Sequence, residues 1–115
     1  LLARQARLPA AVLDRVRERR LRNTSVGLAN SLRGLGTGAQ PPLHGELSSL
    51  EVSSMFIVGE EDSKLAAIGR TMSAAVRGSQ FCAFAGAGHT EHFEQPDLFN
   101  QAVVDFLAEN RLDRV

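Results

Sequence analysis

The sequence predicts an α/β fold in which parallel strands alternate with helices, preceded by a segment that is helical throughout. Three observations predict it. Met55-Phe56-Ile57-Val58 and Phe81-Cys82-Ala83-Phe84-Ala85 are short, uninterrupted apolar runs, the pattern of strands buried on both faces in a parallel sheet. Between them, and again after the second, apolar residues recur at helical spacing, so the order strand, helix, strand, helix describes a right-handed crossover unit. Up to His44 only helical periods occur, and they are broken by a Gly- and Pro-rich loop.

The elements follow in order. Pro9 suits the first turn of a helix over 9–22, because its missing N–H is not needed there, and Val12, Leu13, Val16 and Leu21 supply an apolar stripe opposite the arginines. A second helix runs from Ser25 to Leu35 with Leu28, Leu32 and Leu35 on one side. Gly34-Leu35-Gly36-Thr37-Gly38 stops it, and Pro41-Pro42 forbids further helix. The first strand ends at Gly59. Leu65, Ile68, Met72 and Val76 then mark a helix from Lys64 to Val76, closed by Gly78. After the second strand and the loop Gly86-Ala87-Gly88-His89, a last helix starts near Pro96-Asp97. Leu98, Phe99, Ala102, Val103, Phe106 and Leu107 form its apolar face, and it ends near Asn110. Two domains are expected, a helical cap over 1–45 and an α/β core over 46–115. Two parallel strands leave their outer edges unpaired, so the chain reads as the C-terminal part of a larger protein.

Composition narrows the function classes. The 115 residues are 43% hydrophobic and 23% charged, the usage of an ordinary globular domain. Thirteen bases balance thirteen acids, which argues against a nucleic-acid binder. No apolar run approaches the roughly 18 residues of a membrane span, and the single cysteine, Cys82, cannot form an internal disulfide. The neutral total conceals a polarity. Residues 1–33 hold eight arginines against two acids, whereas residues 34–115 hold five bases against eleven acids. Guanidinium groups grip carboxylates bidentately, so the basic half suits a ligand bearing several carboxylates.

Ligands of open parallel sheets gather beyond the carboxyl ends of the strands. Gly59-Glu60-Glu61-Asp62-Ser63-Lys64 follows the first strand, and Gly86-Ala87-Gly88-His89-Thr90-Glu91-His92 follows the second. An acid after one strand and a histidine after the next match the later part of a Ser-acid-His triad, in which the histidine is the base and the carboxylate fixes its tautomer. Asp62 has a plainer role open to it as N-cap of the following helix. Glu60 and Glu61 are rival acids or solvated loop residues. Glycines at 86 and 88 favour His89 over His92 as the presented imidazole. A His89/Glu91/His92 metal site lacks a strong zinc spacing, so no metal is expected. Cys82 reads as a buried thiol and His44 as a surface residue.

These segments resemble one family. Gly59-Glu60-x-Asp62-x-Lys64, Gly86-x-Gly88-His89-x-x-His92-x-Glu94-x-Pro96 and the stretch Gly27-Leu28-Ala29-Asn30-Ser31-Leu32-Arg33-Gly34-Leu35-Gly36-Thr37-Gly38 are similar to the 2-succinyl-6-hydroxy-2,4-cyclohexadiene-1-carboxylate synthase branch of the α/β-hydrolase superfamily. The resemblance implies the C-terminal part of an α/β-hydrolase fold: a helical cap segment, then the last two parallel strands with their flanking helices. It implies Asp62 and His89 as catalytic residues, and Arg22 and Arg33 as contacts to substrate carboxylates. It implies no cofactor and a lyase reaction, elimination of pyruvate from an enolpyruvyl-cyclohexene dicarboxylate in menaquinone or phylloquinone biosynthesis. Two departures stand out: no Gly-x-Ser-x-Gly elbow is present, and neither is any Trp or Tyr. The chain alone is therefore expected to be inactive. A serine hydrolase of the same fold and a non-catalytic fragment are the alternatives. Its partner would be a small polycarboxylate, with no nucleic acid and no membrane, and with fusion to or association with other quinone-pathway enzymes open. The compartment would be a bacterial cytoplasm or a chloroplast.

Overall fold

The computed structural model describes residues 8–110. Its elements are helix α1 (Ala10–Leu21), helix α2 (Ser25–Leu35), a 3-10 helix (His44–Ser49), strand β1 (Met55–Gly59), helix α3 (Ser63–Ala75), strand β2 (Gln80–Phe84), a one-turn helix α4 (Glu91–Glu94) and helix α5 (Pro96–Glu109). The order matches the expected helical segment followed by strand, helix, strand, helix. The 3-10 helix and α4 are additions, each too short to leave a periodic signature.

β1 and β2 pair in parallel, in a register running from Met55 opposite Gln80 to Gly59 opposite Phe84. Both strands end at the same rim of the sheet, and the two loops that carry the polar clusters therefore leave side by side. α3 joins the strands and packs on both. The face it buries is not the one marked by its largest residues. Ala66 and Gly69 are buried, whereas Leu65 and Ile68 are 37% and 41% exposed. Small residues let the helix axis come close to Val58 and Phe81, and that contact sets the rotation of the helix about its axis; Leu65 and Ile68 are turned to its flank.

The core of the described residues is thin: Leu8, Val58, Ala66, Val76 and Ala87 are the buried hydrophobics. The strands are mostly half-buried rather than enclosed on both faces. The reason is the width of the sheet, since each strand has one neighbour and one open edge. On α5, Phe99, Ala102, Val103 and Phe106 are half-buried while Leu98 and Leu107 stand exposed. On α1, Val12, Leu13 and Val16 are half-buried and Leu21 is exposed. Pro9 is the N-cap of α1 rather than its first helical residue. α2 starts on a Thr24 cap whose side chain accepts the Gly27 N–H at 3.0 Å, yet its stripe of Leu28, Leu32 and Leu35 is exposed.

Candidate active site

The site is built where the two strands end. β1 finishes at Gly59, and the chain turns at once: the Asp62 N–H donates to the Gly59 carbonyl at 3.1 Å, and the Glu61 N–H to the Ala87 carbonyl of the neighbouring loop at 3.0 Å. Gly59 must be a glycine for this. A β-carbon there would lie 2.1 Å from the Gly88 oxygen and 2.5 Å from the Ala87 oxygen. Beyond β2 the chain reverses at Gly86, in the left-handed region at φ 74°, and reaches His89 through the buried pair Ala87 and Gly88.

Asp62 makes the contacts that both readings require. One carboxylate oxygen, Oδ1, accepts the Leu65 N–H at 3.1 Å and so caps α3; the other, Oδ2, lies 3.0 Å from His89 Nδ1. The backbone hydrogen bond from Leu65 is the larger influence holding this carboxyl below its ordinary value, and the hydrogen bond and charge interaction with His89 act in the same direction. Asp62 stays ionised as acceptor for an imidazole that protonates Nδ1, which leaves Nε2 as the basic nitrogen. His89 keeps 44% of its side-chain surface open, against 23% for Asp62.

The rival residues sit elsewhere. His92 lies tilted against aromatic neighbours, its ring centre 4.2 Å from that of Phe93 and 5.9 Å from that of Phe99. Glu60 is exposed, with its N–H bound to the Phe84 carbonyl at 3.1 Å. No cluster of three or more His, Cys, Asp or Glu side chains suited to a metal ion occurs among the described residues. Cys82 is half-buried, its thiol 3.9 Å from the Met55 sulfur, and His44 is exposed.

Arg22 and Arg33 are not joined to this pair by a hydrogen bond among the described residues. Arg22 donates one N–H to Glu18 one turn back in α1 at 2.5 Å, and Arg33 donates to the Asn30 side chain at 3.2 Å. Two other arginines of α1 share a groove with α4. Arg15 and Arg19, with Val12, Val16 and Phe93, line a groove of about 320 Å³ between α1 and α4. Their i, i+4 spacing was visible in the sequence; that the helix face they share would meet Phe93 was not. Glu94 was likewise visible only as a letter in a motif, and Gln95 only as an unspecified position within it. Glu94 accepts from the backbone of Gly88 and Thr90, and Gln95 donates to the Ala85 carbonyl at 2.7 Å.

A carboxylate and a histidine on adjacent loops, at the carboxyl rim of a parallel crossover sheet under a helical segment, define part of an α/β-hydrolase fold. The chain aligns with the Bacillus subtilis (strain 168) protein named "Putative 2-succinyl-6-hydroxy-2,4-cyclohexadiene-1-carboxylate synthase", at 42% identity over 107 residues, 93% of this chain and 39% of that protein. Its fold superposes on the structure of MenH from S. aureus with a TM-score of 0.88 and 31% identity, over 91% of this chain and 40% of that one. No family model matches. The chain is similar to these members of the MenH-like branch of the α/β-hydrolase superfamily, and it spans about two fifths of their length.

Proposed function

We propose that the protein carrying this segment is a carbon–oxygen lyase that eliminates pyruvate from 2-succinyl-5-enolpyruvyl-6-hydroxy-3-cyclohexene-1-carboxylate, giving 2-succinyl-6-hydroxy-2,4-cyclohexadiene-1-carboxylate on the route to menaquinone. The observation that carries this reading is the 3.0 Å contact between His89 Nδ1 and Asp62 Oδ2, together with the similarity to the named synthase over 93% of the chain.

In this reading His89 is the base. Asp62 holds the imidazole with its proton on Nδ1, and Nε2 receives a proton from the ring through a serine hydroxyl. The electrons of the broken C–H bond form one ring double bond, the ring's existing double bond shifts by one position, and the C–O bond to the enolpyruvyl group breaks. The proton held by the imidazolium then returns to the departing enolate. The sequence contains no Gly-x-Ser-x-Gly, so the hydroxyl and its oxyanion hole belong to a part of the protein outside this chain, and the segment by itself is inactive. Arg22 and Arg33 are the proposed carboxylate contacts, which a polyanionic substrate requires. No cofactor is needed. The reading places the reaction in a bacterial cytoplasm, and the Bacillus relative supports the bacterial setting over a plastid one.

The experiment is pyruvate release from the enolpyruvyl substrate by the complete protein, read against hydrolysis of a p-nitrophenyl ester. Pyruvate release that disappears in His89→Ala supports the lyase. Ester hydrolysis without pyruvate release would transfer the same pair of residues to a serine hydrolase.

A further inference from the structure

His89 sits between two backbone N–H groups, those of Gly88 and Thr90, and both point at one carboxylate. Glu94 Oε2 accepts the Gly88 N–H at 3.0 Å; Oε1 accepts the Thr90 N–H at 3.3 Å and the Thr90 hydroxyl at 3.0 Å. The two oxygens thus bracket the histidine along the chain. We propose that Glu94 is a positioning residue, whose carboxylate clamps the peptide groups on either side of His89 and so fixes the imidazole against Asp62. The inference rests on the reading of His89 as the base.

The need for such a clamp follows from the local backbone. The loop enters through Gly86 at positive φ and passes through Gly88, a residue with little conformational preference of its own. The helix after it, α4, is one turn long, and an isolated turn of that length has no stability of its own. Without an external tie, the peptide groups flanking His89 would sample several orientations, each aiming the imidazole differently. On the inner side the loop is already anchored, because the Ala87 carbonyl accepts from Glu61, and Gly59 packs beneath Gly88. Glu94 supplies the second anchor from the far side of the histidine. A charged acceptor makes stronger bonds to N–H groups than a neutral one does, and one carboxylate reaches both peptides without another side chain between. The neighbouring Gln95 extends the arrangement, holding the Ala85 carbonyl ahead of the turn at 2.7 Å.

A mere cap of α4 would contribute stability alone, whereas a positioning residue acts on turnover with binding intact. The test uses the complete protein with Glu94→Ala and Glu94→Gln, measuring kcat and KM for pyruvate release and the imidazole nitrogen resonances of His89 by NMR. Misplacement by about 1 Å is expected to lower kcat roughly 10- to 100-fold in E94A with KM changed less than about twofold. The single Nδ1-protonated tautomer of His89 gives way to a mixture. E94Q keeps one acceptor oxygen and the side-chain shape, so it recovers a substantial part of kcat; should E94A fail to accumulate as folded protein, E94Q with kcat lowered and its melting temperature held carries the inference. Wild-type kcat and an unchanged tautomer in a folded E94A, or in E94Q where E94A does not fold, beside a His89→Ala protein that is inactive, would overturn the role of Glu94 and leave the lyase reading intact. A fully active His89→Ala protein would instead remove the lyase reading, and the role of Glu94 with it.

Discussion

Replacing Gly59 by alanine tests the site through its backbone alone. The added β-carbon would stand 2.1 Å from the Gly88 oxygen and 2.5 Å from the Ala87 oxygen, more than about 1 Å inside ordinary contact. Both obstacles are peptide oxygens in a loop tied down by Glu94 and by the 3.0 Å bond from Glu61 to Ala87, so no flexible side chain is there to yield. The two loops must part by roughly 1 Å, at a cost typical of overpacking, about 1–3 kcal/mol. For a domain of this size that corresponds to a fall in Tm of several degrees, at about 4–8 °C per kcal/mol. The same movement lengthens the 3.0 Å contact between His89 and Asp62 past hydrogen-bond range, and kcat should drop on the order of 100-fold. Thermal melting and steady-state pyruvate release by the complete protein measure the two effects. A G59A protein with wild-type Tm and kcat would refute the claim that apposition of these loops aligns the pair.

Other outcomes separate roles that the structure superposes. Asparagine caps helices about as well as aspartate, so Asp62→Asn should leave the helix content of α3 unchanged in circular dichroism while lowering kcat by roughly 10³–10⁴; equal loss of both would mean Asp62 acts through the cap alone. The Asp62 carboxyl lies below its ordinary range in the folded protein, so its contribution to stability is fully present above the unfolded carboxylate value. That contribution is lost as pH falls through the lowered folded value. Acid titration of wild type and D62N should therefore diverge at neutral pH and converge below the carboxylate range. Arg22→Ala should raise KM with kcat nearly constant, by about 10- to 100-fold if one bidentate carboxylate contact of about 1.5–3 kcal/mol is lost. A changed kcat at constant KM would remove Arg22 from substrate binding. Thr24→Ala, which deletes the cap of α2, should cost about 1 kcal/mol in denaturant unfolding, and no loss would show that α2 is held by other contacts.

The pair Asp62 and His89 was legible because two apolar runs, each followed by a polar cluster, fix which loops share a sheet rim. The extent of α2, Ser25 to Leu35, was legible from its leucine spacing and from the glycines that stop it. What escaped depends on contacts between parts distant in sequence. Leu65 and Ile68 look like the core of α3, but proximity to Val58 selects Ala66 and Gly69. Glu94 acts on backbone N–H groups, which no residue letter announces. Arg22 is engaged by Glu18, a partnership that the i, i+4 spacing did contain, whereas the meeting of Arg15 and Arg19 with Phe93 required knowing where α1 lies.

The Arg22–Glu18 pair also sets how charge selection would work. One guanidinium nitrogen already meets Glu18, so a carboxylate arriving at that edge competes with one that is present, and its net gain there is a difference between two similar bonds. Such competition would disfavour weak or singly charged anions, which gain too little to displace the resident acid. Ionic strength loosens both bonds together, so the preference for multiply charged molecules would outlast much of the loss of affinity in salt.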